Sequence, residues 1–396
     1  MTETLLPLSG TTVVAVEQAV AAPYASRLLA DWGARVVKVE RPGTGDFARA
    51  YDARVKGLSS YFVWLNRSKQ SLTLDLKRPE GREALGRLVA RADVFLHNLA
   101  PGAVDRLGFA AGPLRARHPS LVTCAVSGYG ASGPYRDRKA YDLLVQSEAG
   151  LLSVTGTADA PAKAGISVAD IAAGTSAATA ILLALFARVR SGTGAALEVS
   201  MLDALGEWMS HPFYHTVYGG TPLARSGAHH AAIAPYGPCE GRDGEPVYLG
   251  IQNDREWVAF CERVLERPAL ARDPRFETNA RRVEHREALG AILAEVFGAW
   301  TADELVARLD AAGIAHARMN TVEAFAAHPQ LAARGRWRDV GSPAGPIRAL
   351  VPPITIDGVE PVMDPIPALG EHTDAILAEV GYDAATVAGW RARGIV

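Results

Sequence analysis

Thr12-Val-Val-Ala-Val16, Tyr24-Ala-Ser-Arg-Leu-Leu-Ala-Asp-Trp32 and Val36-Val-Lys-Val39 follow one another near the start of the chain, and their order decides the fold. The outer two are short apolar runs that read as strands. The middle stretch spaces its apolar residues as a helix does, entered through Ala21-Ala22-Pro23 and closed by Gly33. Together they make a β-α-β unit, and the rhythm returns. A strand is expected at Leu72 to Leu76, a helix opened by Pro79-Glu80 and running to about Arg91, and strands at Val94 to His97 and Leu121 to Val126. The product is an α/β fold with a Rossmann-like, doubly wound and mostly parallel sheet. Such sheets bind ligands beyond the carboxyl ends of their strands, which directs attention to Glu17 to Pro23, Glu40 to Asp46, Asn98 to Gly102 and Ser127 to Lys139.

Further along, Gly165-Ile-Ser-Val-Ala-Asp170-Ile-Ala-Ala-Gly174 opens a long apolar helix rich in small residues and ending near Arg188 to Gly192. Asp170 reads as the N-cap of that helix, ionised near neutral pH because free N–H groups and the helix dipole favour its charge. A carboxylate so placed can attack a thioester or carry a proton, or simply cap the helix. A strand at Ala196 to Val199 and a helix over Met201 to Tyr218 follow. The texture then changes to a stretch rich in Gly, Pro and His from about Gly219 to Gly244, a strand at Val247 to Ile251, and helices near Asp254 to Leu265, His285 to Trp300 and Thr301 to Ala312. An apolar run at Ile314 to Met319 precedes the Pro-rich Ser342 to Pro367, which reads as a connector back over the first domain, and two short helices end the chain. Residues 1–218 with 330–396 form the expected large domain, and 219–329 a smaller α+β domain.

The 396 residues are 48% hydrophobic and 21% charged, enough for a substantial core, and 41 basic against 43 acidic side chains leave a net charge of −2. No basic block points to nucleic acid or an anionic membrane. No signal-like segment shows in Met1 to Gly10, and the expectation is a soluble cytoplasmic protein with no membrane partner. Cys124, Cys239 and Cys261 stand far apart, which disfavours disulfides and a zinc site. Neither a P-loop nor a GxGxxG after the first strand is present, so ATP and NAD are poor candidates. HExxH and GxSxG are missing too, so metalloprotease and serine hydrolase motifs find no support.

Several blocks in register carry a family resemblance. They are Ala22-Pro23, Leu29-Ala30-Asp31-Trp32-Gly33-Ala34, Val37 to Asp46, Asn66-Arg67-Ser68-Lys69, Leu74-Asp75-Leu76-Lys77, and Asn98-Leu99-Ala100-Pro101-Gly102 with Arg106-Leu107-Gly108. After them come Ser127-Gly128-Tyr129-Gly130, Gly133-Pro134-Tyr135, Asp170 and Leu369-Gly370-Glu371-His372-Thr373. The chain thereby resembles the class III CoA-transferases over essentially its whole length. The resemblance implies that fold, two ring-like subunits threaded through each other as an interlocked homodimer, and acyl-CoA and a small carboxylate as partners. No cofactor is implied beyond coenzyme A thioesters as substrates, and no metal. It implies Asp170 as the nucleophile, and Gln18, Arg41, Leu74, Lys77, Asn98, Leu99, Arg106, Lys139 and Tyr141 as CoA contacts, the basic groups suiting phosphates. Tyr51 and Tyr61 fall near the family's acyl pocket.

Related racemases pair an Asp with a His that follows the Gly-Pro-Tyr stretch, and here Tyr141 stands in that place, which argues for transfer. Where formyl-CoA transferase carries a run of glycines, this chain has Ser226-Gly-Ala-His229-His230-Ala-Ala-Ile-Ala-Pro-Tyr-Gly237. That version resembles the members acting on C4 and C5 dicarboxylates, with Arg225, His229 and His230 expected to hold a second carboxylate by charge-assisted hydrogen bonds. A racemase-like isomerase and a catalytically idle CoA-binding protein are the rival expectations.

Overall fold

A computed structural model describes residues 6–396; the reading of the first five residues, Met1 to Leu5, lies outside them. The chain forms two compact units, one of Met1–Ala149, Ala164–Ser210 and Leu331–Val396, the other of Gly150–Lys163 and His211–Gln330. The second unit therefore starts earlier than residue 219 and takes in a hairpin-like excursion before Asp170.

The large unit runs through β1 (Thr12–Val16), α1 (Ala21–Ala30), β2 (Arg35–Glu40), α2 (Ser60–Leu65), β3 (Lys69–Thr73), α3 (Pro79–Val89), β4 (Val94–His97), α4 (Ala103–Arg106), α5 (Ala111–Arg117), β5 (Val122–Ser127) and α6 (Asp142–Glu148). After α7 (Leu151–Val154), which belongs to the other unit, come α8 (Val168–Ser191), β6 (Ala196–Ser200) and α9 (Met201–Trp208). The strands form one six-stranded sheet in the order β3-β2-β1-β4-β5-β6, every neighbouring pair parallel. Alternation along β1 decides which side each residue serves. Val13 and Ala15 join the core beneath α1 and α8, whereas Val14 and Val16 face the opposite core, with Leu85 of α3 and Leu377 and Trp390 from the chain's end.

Two expectations need correction here. The third strand begins at Lys69, not Leu72, pairing Val36 with Lys69 and Glu40 with Thr73. Its polar start looks unlike a buried strand because a buried ion pair, Lys69 Nζ to Glu17 at 2.8 Å, takes the place of an apolar side chain. The helix expected over Met201 to Tyr218 is two helices, broken at Met209, the second being α10 (Ser210–Gly219).

The Pro-rich return contains an antiparallel hairpin, Trp337–Val340 with Ile347–Leu350, and lies on the first unit's edge. Asp31 anchors it: its carboxylate takes Arg67 at 2.8 Å, Arg67 also reaches the Leu350 carbonyl, and the Asp31 carbonyl accepts from Val362 N–H. The second unit has a three-stranded antiparallel sheet, Tyr236–Glu240, Pro246–Gly250 and His316–Arg318, with helices whose core gathers Trp257, Phe260, Phe276 and Phe297.

Candidate active site

The carboxyl ends of β1, β2, β3 and β4 in the large unit surround a cleft of about 640 Å³. The parallel order runs outward in both directions from β1 and β4, so the loops after those strands diverge and leave this opening. Gln18, Arg41, Leu74, Lys77, Leu99 and Arg106 all line it, six of the nine expected CoA contacts. Among the described residues Arg41, Lys77 and Arg106 have no carboxylate within ion-pairing distance, while of the acids lining the same cleft Glu17, Glu40 and Asp46 are held by Lys38, Lys69 and Arg49 and Asp75 is not. That is a setting for a polyanion. Gly394, two residues from the end, also lines the cleft, and no sequence signal marked it.

Asn98 serves the cleft indirectly. Its Oδ1 accepts from Gln18 N–H at 2.9 Å and its Nδ2 donates to the Gln18 carbonyl at 2.7 Å, so the amide fixes the turn that presents Gln18. Lys139 and Tyr141 are exposed and outside the cleft's lining. Their segment passes so close to Gly128 that a Cβ there would stand 2.1 Å from the Ala140 Cβ, which explains the glycine. It leads straight into α6, whose first residue, Asp142, proves important.

Asp170 is the third residue of α8 and not its cap, a correction to the sequence reading. The capping is done from α6: Asp142 Oδ1 accepts from Ala169 N–H at 2.8 Å and from Asp170 N–H at 3.3 Å. Asp170 is thereby released from capping, and the backbone amide of Ala21 at the start of α1 lies on the side that favours its charged form. That placement depends on close packing, since a Cβ at Gly174 would meet the Ala21 carbonyl oxygen at 2.6 Å. Burial, and after it the Asp142 charge, push the Asp170 carboxyl up from 3.8 to about 7, the nearby Ala21 amide opposing them. The expectation of a carboxylate fully ionised at neutral pH is thus revised: it sits poised between its two forms.

An aromatic wall stands near this carboxylate. Tyr51 meets Tyr61 edge-on at 5.4 Å and Phe47 at 5.7 Å, and Tyr61 continues to Trp64 at 6.4 Å. The Tyr51 phenol is pushed up to about 12 by burial and then by the charges of Asp46 and Asp170, so it remains a hydrogen-bond donor. Phe47, Tyr51, Tyr61 and Trp64 are all substantially exposed, as a substrate wall would be.

In the second unit the expected carboxylate-holding groups are otherwise engaged. Arg225 donates to the carbonyls of Thr157 and Ala158 at 2.8 and 2.9 Å. His230 stacks on Tyr236 with centroids 5.2 Å apart, and its Nδ1 accepts from Ala232 N–H. Burial comes first and the Arg286 charge later in holding both His229 and His230 below the ordinary histidine range. Among the described residues no group of three or more His, Cys, Asp or Glu side chains is placed to hold a metal ion.

The sequence profile of CoA-transferase family III matches residues 8–373. The chain belongs to CoA-transferase family III. Within that family it is 34% identical to a succinate–glutarate CoA-transferase of Agrobacterium fabrum over 94% of this chain and 96% of the relative. It is 33% identical to a succinyl-CoA–D-citramalate CoA-transferase of Chloroflexus aurantiacus, covering 94% of each. The crystal structure of a CaiB/BaiF family protein from Brucella suis superposes with a TM-score of 0.83 at 35% identity, over 95% of this chain and all of that one.

Proposed function

We propose that this family III enzyme moves CoA from an acyl-CoA donor, succinyl-CoA or a close analogue, to a small carboxylate acceptor, a C4 or C5 dicarboxylate being favoured. The observation that carries the reading is Asp170: a partly buried carboxylate in the first turn of α8, relieved of capping by Asp142 and raised to about 7 by burial and the Asp142 charge. The Asp170 carboxylate attacks the thioester carbonyl, the C–S bond breaks, and a mixed anhydride and CoA thiolate result. The thiolate attacks the aspartyl carbonyl, releasing the donor acid and leaving an aspartyl-CoA thioester. The acceptor carboxylate attacks that thioester, CoA leaves again, and its return to the acceptor carbonyl forms the new acyl-CoA and frees Asp170. One thioester replaces another, so the balance requires no nucleotide.

Arg41, Lys77 and Arg106 would hold the phosphates of CoA, and Tyr51 and Tyr61 the acyl group. The dicarboxylate preference is supported by the names of the relatives. A homodimer is supported by the outer face of α8, where Leu182, Leu183, Phe186 and Val189 are 44, 65, 62 and 84% exposed.

The test is mass spectrometry of CoA products after mixing the protein, and Asp170→Asn, with succinyl-CoA and a panel of free mono- and dicarboxylates. New thioesters from the wild type alone are the expected result. Turnover retained by Asp170→Asn, or none by the wild type with any acid, would overturn it.

A further inference from the structure

A second cavity, of about 510 Å³, is lined entirely by residues of the second unit and shares none with the cleft of the large unit. It lies between the strand Tyr236–Glu240 and the helix Arg286–Phe297, which run the same way. At one end Arg286 donates to the His230 carbonyl at 2.7 Å, just before the strand, and at the other the Arg242 N–H donates to the Trp300 carbonyl at 2.7 Å, just after the helix. The cavity thus has an Arg286 end and a Glu240 end. Arg286 and Gly298, which both line it, stand roughly 18 Å apart at a helical rise of about 1.5 Å per residue. Between the ends the walls are Pro238, Cys239, Leu289, Leu293 and Ala294, and burial pushes the Cys239 thiol up to about 12, so it too is a neutral surface.

The cation at the first end is anchored but unspent. Its Nη2 donates to the carbonyls of His230, Ala231 and, at 3.5 Å, Ile233, while Nε and Nη1 have no partner among the described residues. No carboxylate lies within ion-pairing distance of it among those residues, and burial lowers the guanidinium from its ordinary value with no acid raising it. A fixed guanidinium with free donors, at the end of an apolar trough, suits an anion with an apolar tail. Glu240 at the far end is itself a carboxylate and disfavours a second one there. We propose that this cavity binds an aliphatic monocarboxylate, its carboxylate on the free nitrogens of Arg286 and its tail along Leu289 and Leu293. The cation serving the His-rich loop is then Arg286, 56 residues beyond His230, rather than Arg225, whose donors go to Thr157 and Ala158. The inference is independent of the role given to Asp170.

The experiment uses the full chain with octanoate as the probe, followed by NMR through the ring signals of His229, which lines the same end of the cavity and is assigned with His229→Gln. After burial, the Arg286 charge is what lowers the His229 imidazole, so a carboxylate seated on Arg286 is expected to move the His229 titration midpoint upward, saturably with octanoate. Octanol has the tail without the charge, inorganic phosphate the charge without the tail, and octanedioate a second carboxylate. Each is expected to bind about tenfold more weakly or worse. Arg286→Gln is expected to weaken octanoate about tenfold or more. Because Arg286 also braces the loop carbonyls, a second variant leaves it untouched. A Cβ at Gly290 meets nothing within 4 Å, and Gly290→Leu improves helix propensity while filling the trough. It is expected to keep its thermal stability and to lose octanoate binding.

A His229 midpoint that octanoate leaves unmoved, undiminished binding to folded Gly290→Leu, or equal binding of phosphate, octanol or octanedioate would overturn the proposal. None of these results bears on the chemistry at Asp170, and a protein that makes no new thioester still binds octanoate here if the proposal holds.

Discussion

Asp170 shows what a single residue's neighbours do to its chemistry. Its type and its place at the start of an apolar helix were legible in the sequence. Its protonation was not, because that depends on Asp142, distant in sequence, and on burial. The proposed nucleophile must be ionised, so kcat is expected to rise with pH through about 7. Asp142→Asn keeps an acceptor for the Ala169 and Asp170 N–H groups but removes the charge, and it is expected to move that limb downward; a limb already near 4 in the wild type would contradict this account. Stability carries the opposite sign. A folded-state value raised from 3.8 to about 7 means that ionisation costs stability, a cost that grows between those pH values and is complete above 7. Asp170→Asn is therefore expected to raise the melting temperature above pH 7 and to leave it unchanged below about 3.8, as thermal scans at the two extremes would show. Lys77→Ala and Arg106→Ala, each removing an unpaired cation from the cleft, are expected to raise KM for acyl-CoA about tenfold with kcat little changed.

At the scale of elements, local apolar periodicity was a good guide wherever a strand is covered by apolar layers. The strand at Val94–His97 and those near Thr12 and Ala196 fall within a residue of where the pattern put them. The guide failed where charge is buried in pairs. Lys69 looks like surface, yet it enters β3 and meets Glu17, and burial draws its ammonium down to about 8 despite that partner. Hairpin strands in the Pro-rich return were hidden for another reason, their pairing being only with each other. The close approach of α1 and α8 is the element-level feature on which the site depends, and small residues along Ala172, Ala173, Gly174 and Ala177 permit it. Gly174→Ala would place a Cβ 2.6 Å from the Ala21 carbonyl oxygen and 3.0 Å from the Tyr24 Cβ. The expected cost is about 1–3 kcal/mol, seen as a lower urea midpoint with an unchanged m value. Because Ala21 must move, adduct formation on Asp170 should fall as well. An unchanged midpoint would mean that the helices separate freely, and the contact would lose its importance.

For the whole molecule, the apolar outer face of α8 makes the strongest demand. Its 24 residues are apolar enough, at a mean hydropathy of 1.7 over the richest window, to match a membrane span in length and composition. The buried side nevertheless packs against α1, α9 and β5, within the core of the large unit. What stays outside is a stripe of Leu182, Leu183, Phe186 and Val189, with Arg190 lying over the Phe186 ring. A second copy of the chain is the occupant proposed for this surface. Two kinds of dimer are separable by experiment. Subunits that merely touch dissociate on dilution, following mass action, and their unfolding temperature rises with protein concentration. Subunits threaded through one another cannot part without opening a ring, so light scattering is expected to give twice the chain mass at every dilution. In urea, loss of the dimer should then coincide with loss of secondary structure. Phe186→Glu places a charge on the stripe and should lower that common midpoint without producing a folded monomer. A folded monomer appearing on dilution, in the wild type or in this variant, would rule out threading and leave an ordinary docked dimer.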